Sequence, residues 1–162
     1  MRIVVLTPRD HFHSPIILRK IGLVRTNKSN ASDEIFVITT PKFPCRRNVF
    51  TEIWTLVKRS GWDYMLSMAY MKITFNIFAF SERIKLIPFL MRNYLTVPEV
   101  ISYFAFPSFS VYDINSDSSI KLLKELKPDI IICNLFNQIL KKEVLHIPRW
   151  GCLNIHTSFL PE

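Results

Sequence analysis

Glycine is nearly missing from this chain, with three residues in 162. No Gly-x-Gly-x-x-Gly and no P-loop occur, so a dinucleotide fingerprint and a nucleotide triphosphatase both lack the backbone freedom they require. Cysteine is as sparse. Cys45, Cys133 and Cys152 are odd in number and show no Cys-x-x-Cys spacing, and two lie in apolar runs where a free thiol is commonly buried, so neither disulfides nor zinc gain support. His11 and His13 flank Phe12 with no third ligand near in sequence, and no metal is expected there. The opening apolar run, Ile3 to Leu6, is far too short for a signal peptide and meets Pro8, Arg9 and Asp10 at once, which makes a cytoplasmic protein the expectation. The stretch from Trp62 to Phe80 approaches membrane-spanning length but carries Asp63, Lys72 and Asn76, which argues against an integral membrane span. An amphipathic helix covering a core or a partner fits better, as does one dipping into a membrane surface between Lys58-Arg59 and Arg83-Lys85.

What is present is enough to fold: 162 residues at 49% hydrophobic content support one domain with a sizeable core. The net charge of +8 would suit a polyanion such as tRNA or a nucleotide sugar, yet the Lys and Arg residues are spread along the chain rather than massed, and an ordinary basic surface is the preferred reading. Ile3 to Leu6 reads as a buried strand. Ser14-Pro15 then supplies an N-cap and a favoured first helical residue, with a helix running to the region of Gly22, and Glu34 to Thr40, rich in Ile, Val and Thr and stopped by Pro41, is a second strand. Helical patterns fill 46–106, including Asn48 to Arg59 and Trp62 to Phe80, and read as a helical insertion in a single 1–162 domain. The aromatic-rich span from Tyr94 to Phe109 lacks interleaved basic residues, and core packing explains it better than base stacking.

The alternation then resumes. Phe109 to Tyr112 is a short strand, Asp113 to Ser116 a turn and cap, and Ile120 to Lys127 a helix stopped by Pro128. Asp129 to Cys133 is a continuous apolar strand, Gln138 to His146 a short helix closed by Pro148, and Gly151 leads into a strand holding Asn154 and His156. Such an order predicts an α/β fold with an open, mostly parallel sheet and helices on both faces. Ligands in such sheets bind beyond the carboxyl ends of the strands, so Asn134 to Gln138 and His156 to Pro161 are expected at one rim.

At that rim Asn154, His156 and Ser158 alternate with Ile155 and Thr157, so on an extended strand the three polar side chains share a face. A carboxamide beside an imidazole can stabilise the oxyanion of an acyl transfer and move its protons. An isolated Asn-x-His more often satisfies local backbone, and the surrounding residues decide between the two. Gly151-Cys152-Leu153-Asn154-Ile155-His156-Thr157-Ser158-Phe159-Leu160-Pro161 resembles the active-site motif of the folate-dependent formyltransferases, a family that includes enzymes formylating methionyl-tRNA and glycinamide ribonucleotide. Lys127-Pro128-Asp129-Ile130-Ile131-Ile132 and Leu140 to Leu145 followed by Pro148 resemble the strand and helix that precede that motif, and the opening strand and helix extend the resemblance to the amino end.

The resemblance implies a Rossmann-like formyltransferase fold, incomplete at the C-terminus, and a formyl group moved from 10-formyltetrahydrofolate to a substrate amine. It assigns catalysis to Asn154 and His156, and contact with the folate to Phe136, Asn137, Gln138, Ile139 and Leu140, with Ser158 shaping the same pocket. The family's aspartate partner for the histidine lies downstream of the motif, beyond Glu162, so the chain by itself is expected to be inactive. The helical insertion favours an amino-sugar nucleotide as the small-molecule acceptor, with methionyl-tRNA close behind and no DNA. Two rivals stay open: a hydrolase that deformylates the folate, and a catalytically dead remnant acting as an interaction or membrane-surface module through Trp62 to Phe80.

Overall fold

Ile3-Val4-Val5-Leu6 and Ile130-Ile131-Ile132 are apolar at successive positions and, Leu6 apart, β-branched, so they place greasy side chains on both faces of a sheet and must be covered on both. The computed structural model describes residues 1–9, 13–27, 33–41, 49–83 and 96–155. Its elements are β1 (Arg2–Pro8), α1 (Ser14–Asn27), β2 (Glu34–Thr40), α2 (Val49–Arg83), α3 (Val97–Tyr103), β3 (Ser108–Ser110), α4 (Asp117–Leu126), β4 (Ile130–Asn134), α5 (Lys142–Leu145) and β5 (Cys152–Ile155). The chain divides into two compact units, Met1–Lys42 with Thr96–Glu162, and Phe43–Leu95.

In the first unit five strands pair in the order β3-β2-β1-β4-β5, every pairing parallel. The α/β class and the parallel sheet are therefore as the sequence predicts. β1 is central, in register with β2 from Arg2↔Glu34 to Pro8↔Thr40 and with β4 from Ile3↔Ile130 to Leu6↔Cys133. One face carries Val4, Leu6, Ile38, Ile131 and Cys133, all buried against Leu123 of α4 and Val144 of α5. The other face belongs to α1 and α3, which pack on each other and bury Leu18, Val97 and Val100. Chain direction therefore reverses sides between the β1-β2 and β1-β4 connections, which is the geometry that opens a crevice at the carboxyl ends of β1 and β4.

Local chemistry sets the ends. Ser116 caps α4 by accepting from Ser119 N, and Lys127 closes it in the left-handed conformation. Thr96 opens α3, its N–H donating to Glu99 Oε2 at 2.8 Å, with Pro98 in the first turn. The helix expected over Gln138 to His146 shrinks to Lys142–Leu145. The reason is side-chain competition: Gln138 accepts from Ile114 N at 2.9 Å and donates to Tyr112 O at 2.8 Å, holding 138–141 out as a loop.

Gly22 lies where α1 meets the residue after α3. A Cβ there would sit 2.7 Å from three atoms of the Phe104 ring, closer than packed carbons tolerate. Alanine gains about 0.5–1 kcal/mol of helix propensity, but overpacking costs about 1–3 kcal/mol. Gly22→Ala should therefore lower the unfolding free energy by roughly 1 kcal/mol in urea titrations, and adding Phe104→Leu should recover it. A stabilised single variant would mean the Phe104 ring moves aside freely.

In the Phe43–Leu95 unit, α2 is two helical segments joined at Gly61, whose φ of 78° and ψ of 167° interrupt the helix. The interruption falls between the helices predicted over Asn48 to Arg59 and Trp62 to Phe80. The 46–106 helical stretch thus divides, because Val97–Tyr103 packs with α1 in the sheet-bearing unit.

Candidate active site at the carboxyl rim

All five strands run the same way, so their carboxyl ends share one rim: Arg9 after β1, Pro41 after β2, Val111 after β3, Leu135 after β4 and the end of β5 at Ile155. Asn154 is the third residue of β5, paired with Cys133 and exposed. His156 and Ser158, the other polar positions of the predicted strand, lie outside the described residues, as does His11. Leu135 takes a positive φ of 52° that turns the chain sharply out of β4, and its N–H donates to Ile155 O at 3.3 Å. That bond sets the predicted folate loop, 136–140, directly beside the strand that carries Asn154.

The loop is held from below and from the side. Thr40 Oγ1 donates to Asn137 Oδ1, and Asn137 Nδ2 donates to Pro41 O, each at 3.2 Å. Asn115 Nδ2 donates to Ile139 O at 3.0 Å, while Lys141 N donates to Asn115 Oδ1 at 2.8 Å. Phe136 and Leu140 tuck against the core, and Ile139 stands almost fully exposed. Asn137 and Gln138 thus spend their side chains on positioning the loop rather than projecting from it, which leaves its backbone and the exposed Ile139 side chain as the surface on offer. Asn115 was legible only as a turn residue within Asp113 to Ser116; its clamp on a loop 24 residues away had no local signal.

Beneath the rim Asn134 is completely buried, donating from Nδ2 to Ser14 O at 3.0 Å and to Thr7 Oγ1 at 3.3 Å. It ties β4 to β1 and to the start of α1. A polar residue closing an apolar run was its only mark in sequence.

Across the rim, Arg9, Pro41, Ser110, Val111 and Tyr112 line an open hollow of about 530 Å³. A larger groove of about 660 Å³ lies at the opposite, amino end of β4 between Lys124, Asp129, His146 and Arg149, away from Asn154. Among the described residues no group of three or more His, Cys, Asp or Glu is arranged to hold a metal ion.

Cys133 and Cys152 sit on neighbouring strands as free thiols. Burial pushes the Cys133 thiol up to about 11, with the charge of a Cys152 thiolate adding to it, and burial also raises Cys152. A thiol raised in the folded state and free to ionise near 9 in the unfolded chain stabilises the fold fully below pH 9 and progressively less up to about 11. The urea midpoint should fall across that window, and in Cys133→Ala the fall should be smaller. An unchanged slope would assign the alkaline loss to other groups.

A family model described as formyl transferase matches residues 96–162. The methionyl-tRNA formyltransferase of Clostridium beijerinckii is 64% identical over 42 residues, 26% of this chain and 14% of that protein. That of Kosmotoga olearia is 39% identical over 66 residues, 41% of this chain and 21% of that protein. That of Clostridium botulinum is 44% identical over 69 residues, 42% of this chain and 22% of that protein. The chain thus matches no more than 22% of the length of these relatives.

Proposed function

We propose that this chain, whose residues 96–162 match a family model described as formyl transferase, supplies the donor side of an enzyme that transfers a formyl group to a substrate amine. The observation that carries the reading is the Leu135 N to Ile155 O bond, which brings the 136–140 loop alongside Asn154. A planar pterin with an amide edge needs a rigid wall of backbone donors and acceptors. A loop pinned through Asn115, Asn137 and Gln138 fits that need, so Phe136 to Leu140 are the residues that would hold the folate.

10-Formyltetrahydrofolate, when bound, supplies the formyl carbon that the amine attacks. Asn154 donates its carboxamide N–H to the carbonyl oxygen as negative charge develops there, an interaction made strongest in the transition state. His156 would take up the proton that the amine sheds on forming its new N–C bond and pass a proton to the donor nitrogen as the bond between that nitrogen and the formyl carbon breaks and tetrahydrofolate leaves. Ser158, by the resemblance, would contribute to the folate pocket.

For the acceptor, the names of the similar proteins favour methionyl-tRNA over the amino-sugar nucleotide that the helical insertion put first. The rim hollow with exposed Arg9 on one wall offers a cation to either acceptor, since both bring phosphate.

The test is an assay of the full-length product of the reading frame that carries this chain, with 10-formyltetrahydrofolate and a panel of methionyl-tRNA, an amino-sugar nucleotide and glycinamide ribonucleotide. Transfer to methionyl-tRNA that disappears in His156→Ala is the expected result. Transfer to no amine, or formate released without an acceptor, would overturn the reading, the latter in favour of a hydrolase.

A further inference from the structure

We infer that the second half of α2 is a lipid-binding face that seats the Phe43–Leu95 unit on an anionic membrane surface. Trp62, Leu66, Tyr70, Ile73 and Ile77 are each between 58% and 70% exposed. Their spacing of four, four, three and four puts all five within about 80° of arc on a helix of 3.6 residues per turn, as a ridge about 22 Å long. A large apolar side chain left in water at five successive turns on one side is the pattern of a surface made to be covered.

Composition says what covers it. The Phe43–Leu95 unit holds eight Lys or Arg against three Asp or Glu, a net +5 out of the chain's +8, and eleven of its 21 aromatic residues. Cationic flanks, Trp and Tyr mixed with Leu and Ile on one stripe, and a helix short of spanning character together describe an element lying in the headgroup plane. Among the described residues no helix is long and apolar enough to cross a membrane. Trp54 and Lys58, in the segment before Gly61, repeat the combination, with Lys58 Nζ 5.7 Å from the Trp54 ring centroid. A nucleic acid would use the charge but has no place for the aliphatic part of the ridge. A negatively charged bilayer uses both.

Flotation of the intact chain with phosphatidylcholine vesicles, with and without phosphatidylglycerol, tests the assignment. Binding at least about tenfold tighter to the anionic vesicles is expected, weakening as salt rises. Leu66→Glu/Ile73→Glu should reduce it by about tenfold or more, whereas Tyr64→Glu/Met71→Glu, which adds the same charge on the opposite side of the helix, should retain most of it. Circular dichroism checks that both variants keep their helix content, and quenching of tryptophan fluorescence by brominated lipid should be lost only in the first. Absence of binding, equal binding to neutral vesicles, or equal loss in both variants would overturn the inference. So would sedimentation showing that copies of the chain associate through the ridge and that Leu66→Glu/Ile73→Glu separates them.

Discussion

Replacing Asn154 by alanine in the full-length protein should lower kcat for formyl transfer by about 10²–10³-fold, the usual effect of deleting one oxyanion donor. The side chain is exposed at the rim of β5, so little stability should be lost with it. Because the donated bond strengthens only as charge builds on the formyl oxygen, kcat should fall while the KM for the folate changes little. Steady-state kinetics with both substrates varied would check this. A raised KM with kcat intact would make Asn154 a binding residue, and an unchanged enzyme would remove it from the mechanism.

The largest stability effect of a polar substitution is expected at Asn134. Alanine there leaves Thr7 Oγ1 without this donor and Ser14 O with its helical bond alone inside a site closed to water, and it opens a small void at the β1–β4 seam, offset in part by removal of the unpartnered Asn134 Oδ1. Each buried group left unsatisfied costs about 1–3 kcal/mol, so a total of roughly 2–4 kcal/mol is expected from chemical denaturation. Since Ser14 begins α1, the amides of that helix's first turn should exchange faster than those of β4. A loss below about 0.5 kcal/mol would mean that water replaces the carboxamide without penalty.

Much of this was readable from residue order because the relevant forces are local. Glu34 to Thr40 is bounded as a strand by Pro41, which cannot extend the ladder, and the β-branched run before it has no helical alternative. β4 falls within a residue of its expected limits for the same reason, and β5 holds Asn154 as expected, while the positions from His156 on lie outside the described residues. The segment Gln138 to Lys141 is a loop where its sequence predicts helix because its partners, Tyr112, Ile114 and Asn115, lie 24 to 26 residues earlier. No periodicity reports a carboxamide reaching across a sheet. β3 moved the other way: Ser108–Ser110 begins one residue earlier than expected, an exposed edge strand whose ladder with β2, rather than its own propensity, defines it. For the candidate site, the motif named Asn154 and the loop, and the strand pattern put Asn134 at the rim, while the bonds by which Asn115 holds the loop and Asn134 ties β4 to β1 could be found only in three dimensions.

The pairing of β1 with β4 also acts as a ruler. The hollow bearing Arg9 is lined from the ends of β1, β2 and β3, and the loop beside Asn154 follows β4, so their relative height along the strands depends on the β1–β4 register, Ile3↔Ile130 through Leu6↔Cys133. A parallel slip of two residues would preserve which side chains face inward yet slide one bank past the other by about 6.6 Å, more than the few tenths of an ångström that group transfer tolerates. In the proposed reaction, alignment of the two banks would therefore be set during folding, by the register of that ladder together with the side-chain bonds through which Thr40 and Asn115 hold the loop.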